Sequence, residues 1–346
     1  NSLSRIRGVL LACLVPAFAP GACDSYNLSL KEFFGEDVVT ATAVPVPAPA
    51  PASPFYMTFY VDAGGNDVSG DGTAAAPFLT MDKALSAVSA AYDSTWPGYP
   101  GAPAAARILV GGAITAGDGA STSALFDIID TGLYIALPPV ILGGKTADES
   151  ANKLDGGNSR RVLYIENVRV ALEAGLTLTG GNPGNGDGGG VYVDDGSFAM
   201  SGGTISGNTA AGTYGRGGGV YVDGGSFAMS GGTISGNSAT GYNGIGGGVV
   251  VSSGSFTMSG GTISGNTTTS SNGGGVHFSS SGSFIKSGGT VYGDTKEGGG
   301  PEDPPLKNTA GSGNGHAAYV SSTKYRNKTA GPGVSLDSGT GTNWGL

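Results

Sequence analysis

Three nearly identical stretches at a fixed interval are the strongest constraint on how this chain folds. They read GGGVYVDDGSFAMSGGTISGNT from Gly188, GGGVYVDGGSFAMSGGTISGNS from Gly217 and GGGVVVSSGSFTMSGGTISGNT from Gly246. Equivalent residues lie 29 positions apart, and a more divergent fourth copy keeps Phe284 and Val291. Self-similarity at a fixed period is typical of solenoids, in which each copy is one structural unit that stacks on the next.

Each copy predicts three short strands, which in the first copy cover residues 191–193, 197–200 and 204–206. Because successive side chains of a strand point to opposite faces, the pattern separates an inward set from an outward set. The inward set is Val191, Val193, Phe198, Met200 and Ile205, and the outward set is Tyr192, Ala199, Thr204 and Ser206.

One such coil cannot be stable alone. Each buried apolar side chain contributes about 1.5–3 kcal/mol, whereas ordering each residue costs about 1–2 kcal/mol of backbone entropy. Stacking completes the hydrogen bonds of every strand, so the sequence predicts an all-β parallel β-helix. A column of asparagines (Asn208, Asn237 and Asn266) is predicted to bond along the stack and to continue at Asp294.

The segment before the repeats predicts a cap and irregular early coils. Residues 59–61 read as a strand, and from Thr80 the apolar residues recur at helical spacing, with Thr80 as N-cap. This helix is predicted to cover the open end of the stack. Short apolar runs then predict further strands at residues 108–110, 124–128, 133–136, 140–142, 162–165, 168–172 and 176–178.

The N-terminus has the pattern of an export signal followed by a tether. Arg5 and Arg7 precede an apolar run of signal-peptide length, and the residues before Cys23 resemble a lipoprotein cleavage site. Simple secretion is the alternative to lipidation of Cys23. The stretch ATAVPVPAPAPASP at residues 41–54 predicts an extended Pro/Ala-rich linker. The predicted organisation is therefore a signal peptide (1–22), a tether (23–54), a cap with irregular coils (55–180) and regular coils to the C-terminal end (181–346).

The repeats resemble those of right-handed parallel β-helix repeat lipoproteins of spirochaetes, treponemes in particular. The similarity lies in the pattern GGG-V-Y-V followed by SF-x-M-SGGTISGN. It implies a right-handed coil and a protein that is exported and lipid-anchored at the cell envelope or cell surface. It does not imply a particular activity, although adhesion and envelope roles are often proposed for such proteins.

Composition narrows the function. The formal net charge of −9 argues against nucleic-acid binding. We expect a non-enzymatic surface protein that binds an extracellular glycan or a host or envelope protein, with no cofactor. The alternatives are a polysaccharide lyase or hydrolase on the same fold and a purely structural spacer. The expected binding face combines four tyrosines with a column of threonines: Tyr192, Tyr221, Tyr214, Tyr242, Thr204, Thr233 and Thr262.

Other charged groups are interpreted as structural rather than functional. Asp62, Asp67 and Asp71 lie in a Gly/Asp-rich turn that superficially resembles a calcium site, but the repeated calcium motif is absent. The charged segment 155–173 is the place for a catalytic site if there is one, and a solvated face otherwise. His277 occupies an outward tyrosine position without a second ligand, so no metal site is expected. Lys324, Arg326 and Lys328 suggest either protection of a sheet edge or contact with an anionic glycan or lipid headgroup.

Overall fold

A computed structural model describes most of the chain after the predicted tether. The described residues are 56–93, 105–115, 124–129, 138–269, 271–293, 295–296, 300–301, 306–312 and 315–320. All of them belong to one compact unit that spans residues 53–346. The predicted signal peptide, Cys23, the linker, the run at residues 133–136 and the cations at residues 324–328 lie outside the described residues.

Short strands and one helix make up the part of the chain before the repeats. In chain order these elements are β1 (Tyr56–Asp62), α1 (Met81–Asp93), β2 (Ala105–Gly111), β3 (Ala113–Thr115), β4 (Ala124–Ile129), β5 (Val140–Gly144), β6 (Lys153–Asp155), β7 (Arg161–Glu166), β8 (Arg169–Leu172) and β9 (Thr177–Thr179). The predicted strands that fall on described residues are all present.

The repeats supply the next strands. They are β10 (Val191–Asp194), β11 (Ser197–Met200), β12 (Thr204–Ser206), β13 (Thr209–Ala210), β14 (Val220–Asp223), β15 (Ser226–Met229), β16 (Thr233–Ser235), β17 (Ser238–Ala239), β18 (Val249–Ser264), β19 (Thr267–Thr268), β20 (Val276–Val291), β21 (Thr295–Lys296), β22 (Gly300–Pro301), β23 (Thr309–Ala310) and β24 (Ala318–Val320). The 16-residue strands β18 and β20 each run through what are three separate strands in the earlier coils.

Strands of successive coils pair in parallel and form three faces. The first face contains β4, β7, β10 and β14, and the second contains β2, β5, β8, β11 and β15. The third contains β3, β6, β9, β12 and β16, and β18 and β20 then continue all three faces. Within the regular coils the register places Phe198 against Phe227 and Ile205 against Ile234. The protein is a parallel β-helix in which each 29-residue repeat forms one coil.

The inward side chains form continuous columns, as the sequence predicts. Four phenylalanines stack through the interior, with ring centroids 5.3 Å, 4.6 Å and 4.8 Å apart along the series Phe198, Phe227, Phe256 and Phe284. The valine, methionine and isoleucine columns are buried beside them. Parallel rings at this spacing combine area burial with about 0.5–1.5 kcal/mol of aromatic interaction per pair.

Helix α1 packs against the first strand, where the stack begins. Met81, Ala84 and Val88 are buried in the same core cluster as Val61 and Phe78. Thr80 accepts a hydrogen bond from the backbone N–H of Lys83 at 3.2 Å, so it is the N-cap. The segment that ends at Phe78 also covers the outer edge of β1, because Phe78 donates to the Tyr60 carbonyl and Asp62 donates to the Phe78 carbonyl. The predicted cap is confirmed.

A column of buried asparagines holds the coils together at the turn after the third face. Asn237 Nδ2 donates to Asn266 Oδ1 at 2.9 Å, and Asn237 Oδ1 accepts from the backbone and side-chain nitrogens of Asn208. Asp294, which is predicted to continue this column, lies outside the described residues. Asn308 takes the next place, since its Oδ1 accepts from Asn266 N at 2.8 Å and from Asn266 Nδ2 at 2.9 Å. Asn266 and Asn308 are 42 positions apart, so an insertion in the fourth coil lies between its strands and the asparagine that continues the column.

The turn between the second and third faces requires glycine. Gly203, Gly232 and Gly261 have φ angles of 75°, 81° and 83°. A Cβ at Gly232 would lie 2.5 Å from Met200 Cε and 2.7 Å from the Gly202 carbonyl oxygen. Positive φ and the close approach of the neighbouring coil together explain why the sequence keeps GG before each Thr-Ile-Ser strand.

Candidate functional site

The outer side of the first face carries a column of aromatic residues. Tyr164, Tyr192 and Tyr221 are in register on β7, β10 and β14, with ring centroids 5.4 Å and 5.0 Å apart. Val250, His277 and Tyr319 continue the same position on β18, β20 and β24. The sequence predicts that Tyr192, Tyr221 and His277 point away from the core, and they do lie outside the apolar columns. Tyr221 is nevertheless only 1% exposed, so it is not an open platform.

Two arginines cover this tyrosine column. The Arg161 guanidinium lies 4.8 Å from the Tyr192 ring centroid, and that of Arg216 lies 4.7 Å from the ring centroid of Tyr221. Arg216 Nη2 also donates to Asp187 Oδ2 at 2.6 Å. Cation–π contacts of this kind contribute about 0.5–2 kcal/mol each. The arginines cover one face of the Tyr192 and Tyr221 rings, and Tyr221 is buried whereas Tyr164 and Tyr192 remain partly exposed.

Arg161 is an exception within segment 155–173, which is predicted to be a solvated face and whose Arg169 is exposed. Its guanidinium is buried, and its Nε and Nη2 atoms donate to the Asp187 carbonyl, with Nε also donating to Gly188 O. Burial lowers the pKa of Arg161. In the same segment Glu173 pairs with Arg107 at 2.5 Å across the second face. Sequence reasoning missed the roles of Arg161 and Glu173. One signal was present: Asp187 lies five residues before Tyr192, and Arg216 lies five residues before Tyr221, so the ion pair Asp187–Arg216 joins equivalent positions of two repeats.

Each tyrosine hydroxyl bonds to a polar residue of the next coil. Tyr164 donates to Asp194 Oδ2 at 2.8 Å, and Tyr192 donates to Asp223 Oδ2 at 3.5 Å. Burial, together with the neighbouring carboxylates, raises the pKa values of Tyr164 and Tyr192. The hydroxyls therefore stay protonated and donate. The sequence places no basic residue in the column of Asp194 and Asp223. In the structure these two carboxylates accept hydrogen bonds from tyrosines of the preceding coil and so join the coils.

The exposed aromatic residues lie on the loops that lead back to the first face. Tyr214 is 69% exposed and Tyr242 is 79% exposed. Their loops have the same shape, because Gly215 N donates to Gly212 O at 2.7 Å and Gly244 N donates to Gly241 O at 2.9 Å. Asn243 N also donates to Thr213 O at 2.8 Å, so the two loops stack directly on each other. We call the exposed surface formed by Thr213, Tyr214, Tyr242 and Asn243 the loop ridge.

The predicted threonine column lies elsewhere and is partly covered. Thr204, Thr233 and Thr262 are in register on the third face, whereas Tyr192 and Tyr221 lie on the first. Thr204 Oγ1 donates to Glu149 Oε2 at 2.5 Å, and Thr177 Oγ1 donates to Glu149 O at 2.8 Å. The loop that carries Glu149 thus occupies the start of the column. The seven predicted residues fall into three places, namely the tyrosine column, the loop ridge and the threonine column.

The aspartates of the early Gly/Asp-rich turn all have structural bonds. Asp62 accepts from Lys145 Nζ at 2.8 Å, and this hydrogen bond lowers its pKa. Asp67 accepts from the backbone and hydroxyl of Thr80, and these bonds outweigh burial and lower its pKa. Asp71 accepts from Thr73 N at 2.9 Å. In the described part of the chain, no group of three or more His, Cys, Asp or Glu residues is placed to hold a metal ion.

Comparison with known proteins gives no relative. No family model matches the chain, and no curated protein or solved structure matches it either. No helix among the described residues has the length and hydropathy that crossing a bilayer requires.

Proposed function

We propose that this protein is a non-enzymatic binding scaffold of the cell surface whose loop ridge contacts an extracellular glycan. The observation that carries this proposal is the pair of exposed tyrosines, Tyr214 and Tyr242, on stacked loops of adjacent coils. Aromatic rings stack on the apolar faces of sugars, while amide and hydroxyl groups such as those of Asn243 and Thr213 bond to sugar hydroxyls.

The use of the charged residues favours binding over catalysis. Glycosidic-bond cleavage needs an acid and a base that converge on one groove. Arg107, Lys145 and Arg216 instead each pair with a carboxylate within the fold. Asp194 and Asp223 accept hydroxyl bonds from tyrosines. These contacts support a scaffold that displays a surface.

Replacing both ridge tyrosines by alanine is expected to abolish or weaken glycan binding at least tenfold, because each lost stacking contact contributes on the order of 1 kcal/mol. The measurement is binding of the purified protein to a glycan and matrix-protein array, followed by titration of the best ligand. Ile285→Ala is the matched control, since Ile285 is also a large exposed apolar residue but lies on the second face.

Three outcomes would contradict the glycan proposal. Glycan binding by the Tyr214→Ala/Tyr242→Ala variant that equals binding by the unmodified protein would show that the loop ridge is not the binding surface. Turnover of a polysaccharide, lost on substitution of one Asp or Arg, would make the protein an enzyme. An absence of binding to every glycan and matrix protein would favour a structural spacer.

We also propose that the protein is exported and anchored through a lipid on Cys23, as the lipoprotein-like sequence before it and the linker after it suggest. Cells that express the full chain are expected to incorporate a labelled fatty acid into it, and the Cys23→Ala variant is expected to lose the label. The matched control is Cys13→Ala, which lies within the predicted apolar signal segment and should keep the label. Equal labelling of all three chains would contradict the anchor.

A further inference from the structure

Both histidines of the chain lie in the last two coils that the structure describes. His277 is on β20, and His316 lies two residues before β24, which pairs with β20 in register. The regular coils before these two hold no histidine, and they have Tyr221 and Val250 at the position of His277. A titratable group is therefore placed at one end of an otherwise repetitive stack.

His277 is held in its neutral form by its surroundings. It is 6% exposed, and its ring stacks on Tyr319 of β24 with centroids 5.2 Å apart at 25°. Its Nδ1 atom is buried and has no hydrogen-bond partner. Placing a charge on a buried ring without a partner is costly, so protonation opposes this packing.

His316 also needs an unprotonated nitrogen. Its Nδ1 atom accepts a hydrogen bond from the backbone N–H of Ala310 on β23 at 3.1 Å. A protonated Nδ1 can donate but cannot accept, so protonation at this atom breaks the bond between the start of the last coil and β23. Both histidines therefore favour the closed end coil only while they are neutral.

The charged neighbours of His277 reinforce this preference. Arg216, from the loop before β14, is the charged group that acts on His277, and its positive charge disfavours a second one. Val250 on β18 is apolar, and Tyr319 on β24 is the titratable group that touches the ring. On the inner side of the same strand, Lys286 is 2% exposed and its Nζ has no partner. No described carboxylate forms an ion pair with His277 or Lys286.

We propose that the C-terminal coil is an acid-sensitive latch, in which protonation of His277 and His316 releases strand β24 from β20. Release would free the edge of β20 at residues 276–278, and an unpaired strand edge is a template for pairing with another chain. The latch is independent of the loop ridge and of any ligand that the ridge binds.

The direction and range of the pH effect follow from His277. Burial lowers its pKa from 6.5 to about 4. In the released coil His277 regains its ordinary pKa of 6.5. Between pH 6.5 and pH 4 the released form therefore binds more protons than the closed form, so the free energy that favours the closed form decreases as pH falls. From pH 7 to pH 5 the population of the released coil should rise about twentyfold from this group alone, and the rise should level off near pH 4.

Hydrogen exchange tests the latch. Protection factors for β24, corrected for the intrinsic exchange rates, should fall about twentyfold or more between pH 7 and pH 5, while those of β10 and β11 in the same sample stay constant. In the His277→Tyr/His316→Asn variant, β24 should keep its protection at pH 5. Tyrosine is the residue that Tyr192 and Tyr221 supply at this column, and the asparagine side chain retains an acceptor near the place of Nδ1.

Two results would overturn the latch. The first is a hydrogen-exchange result: either the protection factors of β24 in the unmodified protein stay constant between pH 7 and pH 5, or they fall by the same factor in the His277→Tyr/His316→Asn variant. The other comes from the unmodified protein by NMR: a His277 ring that titrates near its ordinary pKa of 6.5 is not held neutral by the fold.

Discussion

Replacement of Asn237 by alanine is expected to lower the free energy of unfolding by roughly 3 to 5 kcal/mol, as measured by urea denaturation. Asn237 Nδ2 donates to Ile205 O and to Asn266 Oδ1, both at 2.9 Å. Its Oδ1 accepts from Asn208 N and from Asn208 Nδ2. Alanine removes four hydrogen bonds in a fully buried site and leaves polar atoms of two neighbouring coils without these partners.

Asn237→Asp separates the role of hydrogen bonding from that of side-chain volume. Aspartate has almost the same shape, but a carboxylate cannot donate to Ile205 O or Asn266 Oδ1. Burial raises the pKa of such a carboxyl, so its destabilising effect should be larger at pH 7 than at pH 4. Asn243→Ala is the matched control on the loop ridge, where the side chain is exposed, and should change stability by less than about 0.5 kcal/mol. Equal effects of Asn237→Ala and Asn243→Ala would contradict the proposed role of the column.

The interior of the coils could be predicted from the sequence because it depends only on strand alternation and on the repeat. Once residues 29 positions apart occupy equivalent places, the alternation of Phe198, Ala199 and Met200 decides which side chains are buried. The same logic places the cap, since the apolar stripe of α1 needs an apolar surface to cover.

Features that depend on irregular segments could not be predicted from the repeat. Asn308 occupies the place expected for Asp294 because the chain inserts a segment before completing that coil, and Asn266 and Asn308 are 42 positions apart. The loop that carries Glu149 covers Thr204 for a similar reason. The repeat period predicts where a column of equivalent residues lies. It does not predict which side chains of a non-repetitive loop will cover that column.

The tyrosine column shows a second limit. Alternation correctly assigns Tyr221 to the outer side of the strand, but outward does not mean exposed. The loop before β14 folds back over the first face and lays Arg216 on the Tyr221 ring. Tyr214, two residues earlier on the same loop, remains open to solvent. The candidate binding surface therefore lies on the loops and not on the sheet.

Deleting one whole coil is expected to leave the protein folded, whereas deleting half a coil is expected to unfold it. Removal of residues 217–245 joins Arg216 to Gly246 and keeps every interior column in register, because the deletion equals the 29-residue period. The stability of a solenoid is approximately a sum over its units and their interfaces, so this variant should lose part of its stability but keep its β content and cooperative unfolding.

The matched half-coil variant lacks residues 217–230 and joins Arg216 to Gly231. It loses β14 and β15 but keeps β16, so the strands of the first and second faces are missing from one coil. Fewer residues are removed, yet the interior columns are interrupted and the edges of β10 and β11 lose their partners.

Circular dichroism and thermal unfolding of these two variants test most directly the claim that each repeat is one coil of a continuous solenoid. We expect a cooperative, β-rich fold after removal of residues 217–245 and loss of that fold after removal of residues 217–230. A half-coil variant as stable as the whole-coil variant, or a whole-coil variant that fails to fold, would contradict it.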